Sequence, residues 1–151
     1  MIRFDKLTLK SQEDLQSAQA HAQEKGHPQI GCEHLLWALV QQKDGVVLPV
    51  FQKLGVNIQT LARDLAAAAA KLPRVEGQGE VQISPALGRV LDEAQREADQ
   101  FKDDYISTEH LLIALANAKN EPVARLLAAQ GVTRDAILKV LVSIRGSQKI
   151  N

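Results

Sequence analysis

Apolar residues along this chain recur with a helical period. Leu15, Ala18 and Ala22 fall on one stripe, and Leu87, Leu91, Ala94, Ala98 and Phe101 on another. Thr8 and Ser84 stand where helix N-caps belong, and Pro85 fits the first helical position after Ser84. A second helix is predicted at each of two related decamers, IGCEHLLWAL over residues 30–39 and ISTEHLLIAL over 106–115. Ser107 or Thr108 can cap the latter. Glu33 and Glu109 lie in the first turns, where the helix dipole favours a carboxylate. A short third helix ends at Gly55 and at Gly131, each placed for a left-handed C-terminal residue. Its starts read as Asp44 and Asn120, although Pro49 moves the first of these toward Val47. A fourth helix follows Asn57 and Thr133, with Leu61 and Leu65 matched by Ile137 and Leu141. Pro73, Gly77 and Gly79 interrupt the pattern and make the stretch from Leu72 to Ser84 an extended connector. About eight helices and no strand are expected.

The decamers are 76 positions apart, Glu33 to Glu109, and the same offset aligns their surroundings without a gap. Leu15 falls on Leu91, Gln19 on Gln95, Val47 on Val123, Gly55 on Gly131 and Leu65 on Leu141. Self-similarity at a fixed offset means one supersecondary unit used twice. The predicted fold is all-α, with two pseudo-symmetric four-helix repeats in one domain over residues 1–151. Repeat one covers about 1–72, the connector 73–83 and repeat two about 84–146. The start of a linker falls at 147–151. Leu35, Leu36, Leu39, Leu111, Leu112 and Leu115 should be buried. A seam between such halves suits binding.

Charge narrows the function. Eighteen basic residues balance 18 acidic ones, so no basic field exists to hold nucleic acid or an anionic membrane. The single cysteine, Cys32, excludes an internal disulfide. Neither a secretory signal nor a run of ~20 apolar residues is present. A cytoplasmic and, for this domain alone, monomeric protein is expected. There is no G-x-x-x-x-G-K-[ST] phosphate loop. Cys32 and His34 point roughly 200° apart on a helix, which does not suit one metal ion. No metal, no cofactor and no catalysis are therefore expected of this chain.

Four segments carry a family resemblance: FDKLT from Phe4, LPRVEGQGE from Leu72, SPALGRVL from Ser84 and DDYISTEHLL from Asp103. With the decamers, they make the chain resemble the N-terminal domain of the Clp ATPases, and within that family the disaggregases of the ClpB type. The resemblance implies a mobile, non-catalytic module on a hexameric AAA+ machine, with ATP used elsewhere in the polypeptide. It implies clients that are unfolded or aggregated proteins, recognised through exposed apolar segments. It maps polar contact positions onto Thr8, Asp103 and Glu109, and an apolar groove position onto Leu91. His110 stands where a groove leucine is common, and would titrate near the ordinary histidine value if it lines a surface. Each residue also has a local reading: Thr8 as an N-cap, Leu91 as core, Asp103 as a loop acid, Glu109 as a dipole partner. The ClpA and ClpC types imply a rival role, docking a folded adaptor for a machine that serves a protease.

Overall fold

The computed structural model describes residues 4–77 and 79–146; the linker expected over 147–151 lies outside them. A turn of 3-10 helix at Phe4–Lys6 leads into eight α-helices among the described residues. These are α1 (Leu9–Glu24), α2 (Cys32–Gln41), α3 (Val47–Leu54), α4 (Ile58–Ala70), α5 (Pro85–Gln100), α6 (Thr108–Ala116), α7 (Pro122–Ala129) and α8 (Arg134–Arg145). The offset carries α1 onto α5, α2 onto α6, α3 onto α7 and α4 onto α8. The predicted caps form. Thr8 Oγ1 accepts from the Ser11 N–H at 3.2 Å, and Ser84 Oγ from that of Leu87 at 3.0 Å. Asn57 and Thr133 do the same for α4 and α8. Ser107, not Thr108, is the N-cap of α6.

The third helices start later than Asp44 and Asn120. Val46 and Glu121 are their N-caps, because each proline needs the fixed φ of a first turn. Gly55 and Gly131 close them with φ of +71° and +78°. The left-handed residue after the first helix is Gly26 in repeat one but Lys102, at φ +59°, in repeat two.

The expectation of no strand is corrected. Gln29–Ile30 (β1) pairs in parallel with Gln82–Ile83 (β2), and Leu7 forms a parallel bridge with Ile106. The offset relates these contacts: Leu7 corresponds to Ile83, and Ile30 to Ile106. Each joins one repeat to the other. Two-residue strands have no periodicity to read, and their partners lie far away in sequence. The helices interlace in the same way, α3 against α8 and α4 against α7, while α2 meets α6 at the centre. Leu35, Leu36, Leu39, Leu111, Leu112 and Leu115 are all fully buried, as the apolar pattern requires. The halves share one core, so neither buries its apolar face alone.

Candidate functional site

The segment between α5 and α6 gathers most of the residues singled out from sequence. The Ser107 backbone N–H donates to His110 Nδ1 at 2.8 Å. That nitrogen must therefore be unprotonated, so neutral His110 carries its proton on Nε2 and donates it to Asp103 Oδ2, also at 2.8 Å. Ser107 Oγ donates to Glu109 Oε1. Arg145, the last residue of α8, reaches Asp103 Oδ1 at 2.6 Å and lies 3.7 Å from Glu109 Oε2. Phe101 sets its ring edge-on to His110 and lies under the Arg145 guanidinium. Burial lowers the pKa of His110, although Glu109 and Asp103 oppose the shift. A fully buried imidazole resists charging.

Serine, histidine and aspartate in a row invite comparison with a nucleophilic triad. The hydrogen bonds argue otherwise. Ser107 gives its hydroxyl proton to Glu109, and His110 Nδ1 already accepts from the backbone. No lone pair is left to activate the hydroxyl. The arrangement is a helix cap extended into an ion pair.

Of the contact positions expected from sequence, Thr8, Leu91, Asp103, Glu109 and His110, the structure buries all but Thr8. Leu91 is 1% exposed and belongs to the core, because its stripe on α5 faces the interior. Asp103, Glu109 and His110 are buried in the network just described. Thr8 is half-buried. Its N–H donates to the Ile106 carbonyl at 3.0 Å, so it does adjoin the 103–110 segment.

Repeat one varies the same design. His34, the counterpart of His110, accepts the Gly31 N–H at 2.8 Å and contacts His27 at 2.8 Å. His27 occupies the place of Asp103. His21 stacks on Trp37 with ring centroids 3.8 Å apart. Where repeat two has Arg145, repeat one has Ala69, and a cavity of about 560 Å³ opens between His27, Glu33, Trp37 and Ala69. Burial raises the pKa of Glu33.

An apolar groove of about 380 Å³ runs beside the strands, lined by Phe4, Leu7, Leu15, Ile30, Val81 and Ile83. Leu15 is the repeat counterpart of Leu91, so the twin rather than the predicted residue faces the opening. Phe4 is 49% and Ile83 39% exposed. Sequence reasoning missed this groove because its walls come from α1, the 3-10 turn and the connector. Arg145 was missed as well; only the alignment of Ala69 with Arg145 could have marked it.

A domain of two interlaced four-helix repeats, with paired helix-start histidines, is the class that this fold defines. Residues 6–130 match the Clp repeat (R) N-terminal domain, and the chain belongs to that family. Chaperone protein ClpB of Clostridium perfringens is 38% identical over 97% of this chain and 18% of its own length. The ClpB of Corynebacterium diphtheriae is 41% identical over 95% of this chain and 17% of its own. The chain thus spans under a fifth of these relatives. Among solved structures, the Hsp104 N-terminal domain from Candida albicans superposes with a TM-score of 0.83 at 22% identity, covering 96% of this chain and 95% of that one. A ClpV N-domain solved in complex with a VipB peptide gives 0.78 at 21% identity, covering 97% and 91%. At these identities the structures establish the fold. Among the described residues, no helix is long and apolar enough to cross a membrane.

Proposed function

We propose that this chain is a non-catalytic module that engages exposed apolar segments of unfolded or aggregated proteins. It presents them to the hexameric ATPase portion of a longer polypeptide of the ClpB type. ATP and the ring belong to that portion. The observation that carries the reading is the groove between Phe4, Leu15 and Ile83, which offers partly exposed apolar walls with glutamines of α1 along one side. Apolar walls with few orienting groups suit sequence-tolerant binding. The peptide held by a ClpV N-domain supports peptide engagement by this fold. The membership of ClpB chaperones among the relatives favours unfolded clients over a folded adaptor.

The test is binding of a permanently unfolded protein, such as reduced and carboxymethylated α-lactalbumin, to the intact chain and to Phe4→Glu and Ile83→Glu. Both side chains are exposed enough for the charge to leave the thermal midpoint unchanged. Each variant should bind about tenfold more weakly or worse, as expected when a charge enters an apolar contact. Undiminished binding in both would remove the groove from the function. Binding of a folded adaptor with no affinity for unfolded protein would favour the rival role.

A further inference from the structure

Repeat one carries a buried polar junction that repeat two does without. On α1, Asp14 is buried and its Oδ2 has no hydrogen-bond partner. In the loop between α2 and α3, Gln42 Oε1 is buried and without a partner as well. Both residues converge on one carbonyl. Gln42 Nε2 donates to the Lys10 oxygen at 3.2 Å, the same oxygen to which an α-helix directs the Asp14 N–H. Gln42 Oε1 lies 2.6 Å from where a Cβ on Gly45 would stand, so the glycine leaves room for the amide. Lys10 Nζ reaches Asp44 Oδ2 at 2.8 Å and makes a second tie between α1 and the loop. In repeat two, the offset puts Ala86, Val90 and Ala118 in place of Lys10, Asp14 and Gln42, and these line a cleft of about 420 Å³. The helices pair there without the polar groups, so the fold does not require them. A carboxylate oxygen and an amide oxygen are both acceptors, and a single proton between them satisfies both.

We propose that this junction is a proton-operated latch: protonated Asp14 donates to Gln42 Oε1 and holds the loop over residues 42–46 on α1, and loss of that proton to solvent releases the loop. Ionised Asp14 finds no donor in Gln42 Oε1. It draws instead on the Lys10 ammonium, one helical turn away on the same face of α1. Lys10 then leaves Asp44, and the loop loses both ties together. The charged groups that bear on Asp14 are Glu13 and Lys10 on α1 and Asp44 on the loop. The other helices packed on α1, α2 and α6, bring none to it. Burial, then Glu13 and Asp44, outweigh Lys10 and place the transition at about 7, so the latch is closed on the acid side of neutrality and open on the alkaline side. The loop leads into α3, which packs on α8 of the other repeat, so its release reaches beyond repeat one. The latch is independent of the client reading above.

The experiment is an NMR titration of the 151-residue chain across about pH 5.5–8.5. It follows the backbone amides of residues 42–46, the side-chain amide of Gln42 and the carboxyl carbons of Asp14 and Asp44. In the intact chain all of these should move together, with one midpoint at about 7. In Asp14→Asn, whose carboxamide still donates to Gln42 Oε1, the loop signals and Asp44 should keep their acid positions throughout. Loop signals that ignore pH in the intact chain, or that titrate alike in both proteins, overturn the latch. Gln42→Met removes the acceptor at a half-buried site. It should cost Asp14 about tenfold in proton affinity, as the loss of one hydrogen bond predicts. An unchanged Asp14 midpoint in that variant means that burial alone holds the proton, and it overturns the latch as well. Should Asp14→Asn not fold, the Gln42→Met midpoint decides. An Asp44 carboxyl signal that stays still while the loop titrates overturns the exchange of Lys10 between the two carboxylates.

Discussion

His34 donates its Nε2 proton to His27 Nδ1 across 2.8 Å. The direction is fixed because His34 Nδ1 already accepts the Gly31 N–H. A second proton on His34 would have to displace that backbone donor. Burial, with His27 and His21 nearby, pushes its pKa down to about 4 from the ordinary 6.5. Between these values the unfolded chain binds more protons than the folded one, so stability rises with pH there. The contribution is complete above about 6.5 and is lost as pH falls toward about 4. His34→Gln should cost about 1–3 kcal/mol at neutral pH by disrupting the buried pair. It should also flatten the rise in urea midpoint across that window. An unchanged slope would show that another group controls acid sensitivity.

Asp14 acts in the opposite direction. It is 2% exposed on α1, and its Oδ2 makes no hydrogen bond. Burial, then Glu13 and Asp44, raise its pKa from 3.8 to about 7. The folded state therefore binds more protons than the unfolded one in that interval. Stability from the protonated form is full below about 3.8 and lost as pH rises through about 7. The repeat counterpart is Val90, also buried. Asp14→Val should stabilise the domain by about 1–3 kcal/mol at neutral pH. The gain should shrink steadily toward acid pH; a gain independent of pH would mean that Asp14 titrates alike in the folded and the unfolded chain.

Leu91 should behave as core. Leu91→Ala is expected to cost about 2–5 kcal/mol, and Leu91→Glu to unfold the domain rather than weaken client binding selectively. Because the halves exchange α3–α8 and α4–α7 contacts, residues 4–72 alone should not fold. Circular dichroism and chemical denaturation of these three proteins check both points. A cooperative transition from residues 4–72 alone would show that each repeat carries its own core.

Cys32 should be unreactive. It is 1% exposed, and burial, with Glu121 and Glu33 nearby, pushes its thiol pKa up to about 12. At about pH 8 almost no thiolate exists. Iodoacetamide should leave the folded chain unmodified by mass spectrometry and should label it promptly in urea. Rapid native labelling would reveal frequent opening at the start of α2.

The sequence by itself determined the helices, their caps and their duplication. These are local facts: an apolar residue every third or fourth position, a hydroxyl before a first turn, a glycine after a last one. A 76-residue offset needs no structure to be seen. Only the tertiary structure decided how the copies combine. The bridge between Leu7 and Ile106 and the pairing of Ile30 with Ile83 interlace the repeats, and strands of two residues leave no pattern. The site was divided in the same way. Thr8 adjoins the 103–110 segment through its N–H to the Ile106 carbonyl, a contact no local pattern announces. Burial placed Leu91 in the core and left its twin Leu15 beside the groove, although both sit on apolar stripes. Helical period tells which face of a helix is apolar, not whether a neighbour will cover it. Arg145 lies 42 residues from Asp103, so only folding brings charge to charge; in repeat one His27 and Ala69 stand at those two places.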